Sequence, residues 1–306
     1  MPSQRFISVM GNIIVITLSS SARQLRKSFN ILLINLALSD LGINLFSLPL
    51  SVTSSFAGQW LFGDQGCKVY GALMFMFSIN SINTLAIISY VRFIAISWPT
   101  WDSKVQNRRY IAMAVSCSWI YSVLWSCAPL LGWSAYTLEP FNTSCSIDWY
   151  SRSLSSLSYN ISIFISCFGV QLAVIVRCYW LIWRRGSQAL RRRRAHWRCK
   201  RTTRRISRTQ NRLLKMCVIV VILYFVAWIP YAVLSIWTLY FGMDPNIAAS
   251  VLPSLIAKSS TVYNPIVYVL MHKNVKKAAN VILFCCSAGV KRLKVVTSSG
   301  SATSDL

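Results

Sequence analysis

The chain is 306 residues long, 55% apolar and only 13% charged, and its mean hydropathy is positive. That composition excludes an ordinary soluble domain, whose surface needs more charge, and points to a membrane-embedded core. The charge is lopsided, with 32 Lys+Arg against 7 Asp+Glu. The basic residues fall almost wholly in short segments between apolar runs, which argues for a polytopic membrane protein and against nucleic-acid binding.

A bilayer core takes about 20 mostly apolar residues per helix. In chain order, the first apolar run, 6–19, is shorter than that. No signal peptide stands before it, so it reads as a first helix truncated at its start. Runs of spanning length follow at 29–56, 67–97, 110–131, 156–183, 213–241 and 247–271. Residues 272–288 read as an amphipathic helix on the membrane surface. Val275, Ala278, Ala279, Ile282 and Leu283 share one face, with Lys273, Lys276 and Lys277 off it. Cys285 and Cys286 are candidates for lipidation there. The Ser-rich remainder, 289–306, reads as a disordered tail. The expected fold is all-α: a bundle of seven transmembrane helices over 1–271, then the surface helix and the tail.

The linkers set the orientation. Arg23, Arg26 and Lys27 lie in the first, Lys104, Arg108 and Arg109 in the third, and fourteen basic residues run from Arg184 to Lys215. The alternate linkers hold almost none; 132–155 has only Arg152. The positive-inside rule puts the basic linkers and the C-terminus in the cytoplasm. The run Arg191 to Arg194 is then best explained by attraction to anionic lipid of the inner leaflet.

With only two histidines, His196 and His272, and no paired ligand spacing, no metal site is expected. Cys117, Cys127, Cys167, Cys178 and Cys217 sit inside apolar runs and read as small buried hydrophobes. Cys67 begins the third helix on the outer side and Cys145 lies in the longest outer loop. Both face the oxidising compartment, so a bridge between them is the natural pairing. The same loop holds the glycosylation sequon Asn142-Thr143-Ser144.

Ionisable residues inside spans carry the most information, because each is costly unless paired or hydrated. Arg92 ends the third helix, where snorkelling accommodates it. Asp40, in the second helix, has Asn12, Asn264 and nearby hydroxyls as partners through water. Lys258 lies about 16 Å along the last helix at ~1.5 Å per residue, near the bilayer midplane, where it reaches neither interface. One explanation is a structural ion pair. The other is a lysine held in a dry pocket, where desolvation favours the neutral amine that condenses with an aldehyde. A protonated product of that condensation needs a buried anion. The chain has one Glu and six Asp; Asp305 is in the tail, Asp102 is cytoplasmic and Asp40 is nearer the cytoplasmic half. Of Asp64, Asp148, Asp244 and Glu139 on the outer side, Glu139 sits six residues before Cys145, and by elimination is the counterion candidate.

These residues carry a family resemblance over nearly the whole chain. Gly11-Asn12, Leu36-Ala37-Leu38-Ser39-Asp40, Trp119, Trp228-Ile229-Pro230-Tyr231 and Asn264-Pro265-Ile266-Val267-Tyr268 resemble rhodopsin-type G-protein-coupled receptors. Ala257-Lys258-Ser259-Ser260, six residues before Asn264-Pro265, resembles the animal opsins specifically, as do Gly132-Trp133 and Cys145-Ser146-Ile147-Asp148-Trp149. The wording is most similar to the peropsin, retinal-photoisomerase and neuropsin group. Vertebrate visual opsins place a glutamate where Tyr70 stands, and Glu139 matches the loop counterion of opsins that lack it.

The resemblance implies covalent retinal on Lys258, in a pocket lined by Tyr70, Gly71, Met74, Phe75, Ser78, Ile147, Trp149, Phe164, Phe168, Trp228, Tyr231 and Ala257. Such a dry aromatic slot with one polar end suits a polyene. It also implies a G-protein face and switch built from Arg92, Asn264, Pro265, Tyr268, Asp40 and Asn12, with a heterotrimeric G protein as partner beside the membrane lipid. Two departures bear on this. The third helix ends Val91-Arg92-Phe93 where the family has an acid before the arginine, and Gln210 stands where the sixth helix can offer a second acid. Gln171 replaces the fifth-helix proline, which should alter the bulge there. Two functions are therefore expected in competition: a light-activated receptor, and a retinal photoisomerase that converts all-trans to 11-cis without signalling.

Overall fold

The computed structural model describes residues 2–21, 28–98, 107–195, 201–241 and 247–271. The surface helix, the tail, and Cys285 and Cys286 lie outside them. The described residues form seven long helices: α1 (Pro2–Ser21), α2 (Ser28–Ala57), α3 (Gly63–Ser97), α4 (Arg108–Cys127), α5 (Leu154–Ile163, continued through Phe164–Gly169 into Val170–Ala195), α6 (Arg201–Phe241) and α7 (Ile247–Met271). Five described stretches, in α2 to α6, are long and apolar enough to cross a membrane, and Arg5–Ser20 is a shorter apolar helix.

The helices pack in sequence order: α1 against α2 and α7, α2 against α3, α3 against α4 and α5, and α6 against α7. Their shared core gathers Leu32 and Leu36 of α2, Leu85, Ile88 and Val91 of α3, Met216 and Tyr224 of α6, and Val267 and Tyr268 of α7. Many lipid-length side chains such as Leu124, Ile165, Val226 and Leu270 point outward. That pattern suits a bundle whose outer solvent is as apolar as its core.

Two helices run further than apolarity alone suggests. The basic segment between the fifth and sixth spans is not one long loop: α5 continues to Ala195 and α6 begins at Arg201. Arg, Gln, Leu and Ala are all good helix formers, so the backbone keeps its helix beyond the apolar stretch. Within α5 a π turn occupies Phe164–Gly169. The missing proline does not remove this bulge. The Tyr121 hydroxyl donates to the Ser166 carbonyl inside it at 2.8 Å, and the Gln171 side-chain amide Nε2 donates to Asn83 Oδ1 of α3 at 2.9 Å.

One end of the bundle carries a lid. α4 runs into a 3-10 turn, Ala128–Leu131, stopped by Gly132 at φ +96, a left-handed conformation that glycine adopts without strain. Two short antiparallel strands follow, β1 (Tyr136–Leu138) and β2 (Cys145–Ile147), in the register Tyr136↔Ile147, Thr137↔Ser146 and Leu138↔Cys145. A disulfide joins Cys145 to Cys67 of α3, and the Tyr136 hydroxyl donates to the Ser126 carbonyl of α4 at 2.8 Å. The hairpin thus lies pinned across the bundle, with Glu139 at the first residue of its turn.

Candidate functional site: a lysine in an aromatic slot

Proline-containing α7 carries Lys258 into the bundle beneath the hairpin. Its Nζ lies 3.1 Å from Oε2 and 3.3 Å from Oε1 of Glu139, and donates to Ser144 Oγ at 3.2 Å. Ser144 Oγ in turn donates to the Glu139 carboxylate. Ser254, one helical turn before Lys258 on the same face, gives its hydroxyl to both carboxylate oxygens at 3.3 Å. The backbone holds the carboxylate in place, because Glu139 N–H donates to the Ser144 carbonyl and Asn142 N–H to the Glu139 carbonyl, each at 2.8 Å. Burial raises the Glu139 carboxyl, but the Lys258 ammonium and the hydrogen bonds from Ser144, Lys258 and Ser254 outweigh it and hold the carboxyl below its ordinary value.

On one side of this pair is a slot with almost wholly apolar walls. Gly71, Met74, Phe75 and Ser78 of α3, Ile147 and Trp149 of the hairpin and the loop after it, Phe164 and Phe168 of the π turn, Trp228 and Tyr231 of α6, and Ala257 of α7 all line it. Gly71 is required by close approach: a Cβ there would stand 2.5 Å from the Tyr136 ring. Trp149 Nε1 donates to the Tyr231 hydroxyl at 3.0 Å, and Trp228 Nε1 to Ser260 Oγ at 3.2 Å. These bonds satisfy the polar edges of the rings, leaving their faces to the slot. Tyr224, Cys167 and Ile79 also line it. Tyr70 is not on the slot wall. It is fully buried in a separate cluster with Cys67, Cys145, Trp60 and Met74, its ring 5.3 Å from that of Trp60.

On the other side of the pair is a larger cavity of about 470 Å³, with hydroxyls from Ser51, Ser55, Thr143 and Thr238 in its wall. Lys258 and Glu139 face it, which is why they keep 23% and 15% of their side-chain surface exposed. Arg5 of α1 also lines this cavity. Its Nη1 donates to the Ser47 carbonyl at 2.8 Å.

Sequence reasoning passed over three neighbours of Lys258. Ser254 was legible from its i−4 spacing, and Ser144 from its place beside Cys145. Arg5 stands just before the first apolar run, 6–19, and gave no comparable signal.

Toward the opposite end, the remaining motif residues form one polar seam. Asn264 Nδ2 donates directly to Asp40 Oδ2 at 2.7 Å, without an intervening water. Asn44 Nδ2 donates to the Asp40 carbonyl at 2.6 Å and to Ser8 Oγ at 3.0 Å. Asn12 Nδ2 reaches the Ser8 carbonyl at 2.9 Å and the Thr261 carbonyl at 3.3 Å, which ties α1 to α7. Pro265 and Tyr268 are buried beside this seam. Further along, Arg92 is buried with its guanidinium 3.8 Å from the Phe29 ring centroid, and its neighbour Val91 belongs to the apolar core. The Gln210 side chain is outside the described part.

The chain's likenesses to known proteins follow the same geometry. Residues 11–268 match the family described as 7 transmembrane receptor (rhodopsin family). The visual pigment-like receptor peropsin of Mus musculus is 32% identical over 280 residues, covering 91% of this chain and 81% of that protein. The G0-coupled rhodopsin of Mizuhopecten yessoensis is 32% identical, over 88% of this chain and 67% of its own. The crystal structure of squid rhodopsin superposes with a TM-score of 0.84 at 32% identity, covering 92% of this chain and 84% of that one.

Proposed function

The chain belongs to the rhodopsin family of seven-transmembrane receptors, as a multi-pass membrane protein among the opsins, and on that footing we propose that it is a retinal-binding photoreceptor with the chromophore bonded to Lys258. The observation that carries this reading is the pairing of Lys258 with Glu139 at 3.1 Å, at the mouth of an aromatic slot. The slot's residues fit an elongated polyene aldehyde: apolar along the walls, with a single amine at one end. Retinal supplies the absorption of light and the change of shape that follows.

The chain's own residues do the rest. Glu139 stabilises a proton at Lys258 Nζ, and Ser144 and Ser254 orient the carboxylate by donating to it. Trp149, Trp228 and Tyr231 confine the ligand, and the hairpin strapped by Cys67–Cys145 covers it. Trp228 and Tyr231 of α6 and Ala257 and Lys258 of α7 would pass a change in the ligand's shape to those helices, and from α7 the polar seam of Asn264 with Asp40 of α2 leads toward Arg92 and Tyr268. Differential contacts in two ligand shapes are what shifts a receptor between states. We place the hairpin end outside the cell and the basic end, with the C-terminus, in the cytoplasm. There Arg92 and the basic segment face a heterotrimeric G protein and anionic lipid.

The isomerase alternative is not favoured, since the relatives named above are receptors and a G0-coupled rhodopsin. The test has two steps. Mixing the expressed protein with retinal in the dark should produce a visible absorption band, and illumination should accelerate nucleotide exchange on an added G protein. A protein that forms no band sinks the photoreceptor reading. A band without exchange, with 11-cis-retinal released by light, moves the function to the isomerase.

A further inference from the structure

Between α1, α2 and α7 lies a small cavity of about 20 Å³, walled by Arg5, Asn44, Leu255, Lys258, Ser259 and Thr261 among others. That is room for one particle the size of a water molecule or a halide ion. The charge around it does not balance. Arg5 and Lys258 are two cations facing the same low-dielectric space, and Glu139 is the only carboxylate paired with either among the described residues. Arg5 spends one of its five N–H donors on the Ser47 carbonyl.

We infer that this cavity is a halide site: one chloride held by Arg5, offsetting the positive charge that Glu139 leaves unmatched beside Lys258. A monovalent anion restores neutrality. The polar cavity on the far side of Arg5 and Lys258 gives it a path from solvent. The cavity's volume suits chloride or bromide and is too small for large anions such as gluconate. Arg5 is the specific ligand because its guanidinium stays charged at any ordinary pH, whereas the Lys258 charge is shared with Glu139. The site stands on the geometry of the retinal-free protein, and only its spectral consequence rests on the photoreceptor reading.

The experiment uses purified full-length protein in sodium chloride or in sodium gluconate at equal ionic strength. In the retinal-free protein, chloride should raise the melting temperature saturably, as a ligand that binds only the folded state does. Arg5→Gln should abolish that rise, and Arg5→Lys should keep part of it. In the retinal-bound protein, replacing chloride by gluconate should move part of the visible band to the ultraviolet, because an unbalanced cation at Arg5 drives the proton off Nζ. Arg5→Gln should hold a visible band that ignores the anion. Melting and band both indifferent to chloride in the unsubstituted protein overturn the halide site and leave the photoreceptor reading standing. A chloride-dependent melt in a protein that forms no band does the reverse. A chloride effect that persists unchanged in Arg5→Gln also overturns the assignment.

Discussion

At the hairpin end of the bundle a single carboxylate, Glu139, draws in the donors around it, from Lys258, Ser144 and Ser254. Toward the basic end the same need for internal satisfaction is spread over neutral groups. Asn264 holds Asp40, Asn80 holds Ser39 and Ser118, and Asn35 holds Thr84 and Trp119, each at 2.6 to 2.8 Å. Arg92, beyond this seam, lies over an aromatic ring beside Val91. The hairpin half is built around one localised charge in a rigid frame. The basic half is a mesh of small amides and hydroxyls, with no acid adjoining its arginine in sequence. A localised pair should fail all at once when one partner goes, and a mesh should fail by degrees.

Breaking the comparison at its strongest point, Lys258→Ala should abolish the visible band. Leaving Glu139 buried without its cation should also destabilise the retinal-free protein by about 3–5 kcal/mol, read as a lowered melting temperature. Next, Cys145→Ser removes a bridge across 78 residues and should cost about 2–5 kcal/mol, with hydrogen exchange rising first in the hairpin. In the mesh, Asn264→Ala takes one hydrogen bond from the buried Asp40 side chain and should cost about 1–3 kcal/mol while leaving the dark absorption band where it is. The smallest effect is expected at the basic end. Val91→Glu buries an acid beside buried Arg92; the desolvation cost offsets most of the attraction, so a net gain of about 1 kcal/mol or less should lower dark nucleotide exchange by no more than about fivefold.

Much of this contrast was legible in the amino-acid order. Spans show as long apolar runs, and Lys258 shows because a lysine eleven residues into such a run cannot snorkel to either interface. Glu139 emerged from scarcity, since a chain with one Glu and six Asp leaves few partners to consider. Other features were hidden for physical reasons. The strands Tyr136–Leu138 and Cys145–Ile147 are three residues each, too short for alternation to register. Arg5 stands near the start of a run too short to be weighed as a span, so it escaped the count of buried charges. Tyr70 was assigned to the slot by likeness. Whether its ring faces ligand or disulfide depends on the helix's rotation, and in the fold the ring turns toward Trp60. The helical continuation to Ala195 and from Arg201 was obscured by charge, because apolarity reports the bilayer and not the helix.

The localised pair also carries a pH signature. Because Glu139 is held below its ordinary value, its contribution is complete above the ordinary glutamate range and is lost only as pH falls through the lowered value. The visible band should therefore stay in place from neutral pH down through about 4.3, the usual glutamate midpoint, and change only below it. The most direct measurement is the dark spectrum of Glu139→Gln reconstituted with retinal in chloride-free buffer at neutral pH. Removing the carboxylate should release the proton from Lys258 Nζ and carry the band into the ultraviolet. A band that stays in the visible, unmoved from that of the unsubstituted protein, would contradict the assignment of Glu139 as the partner of Lys258.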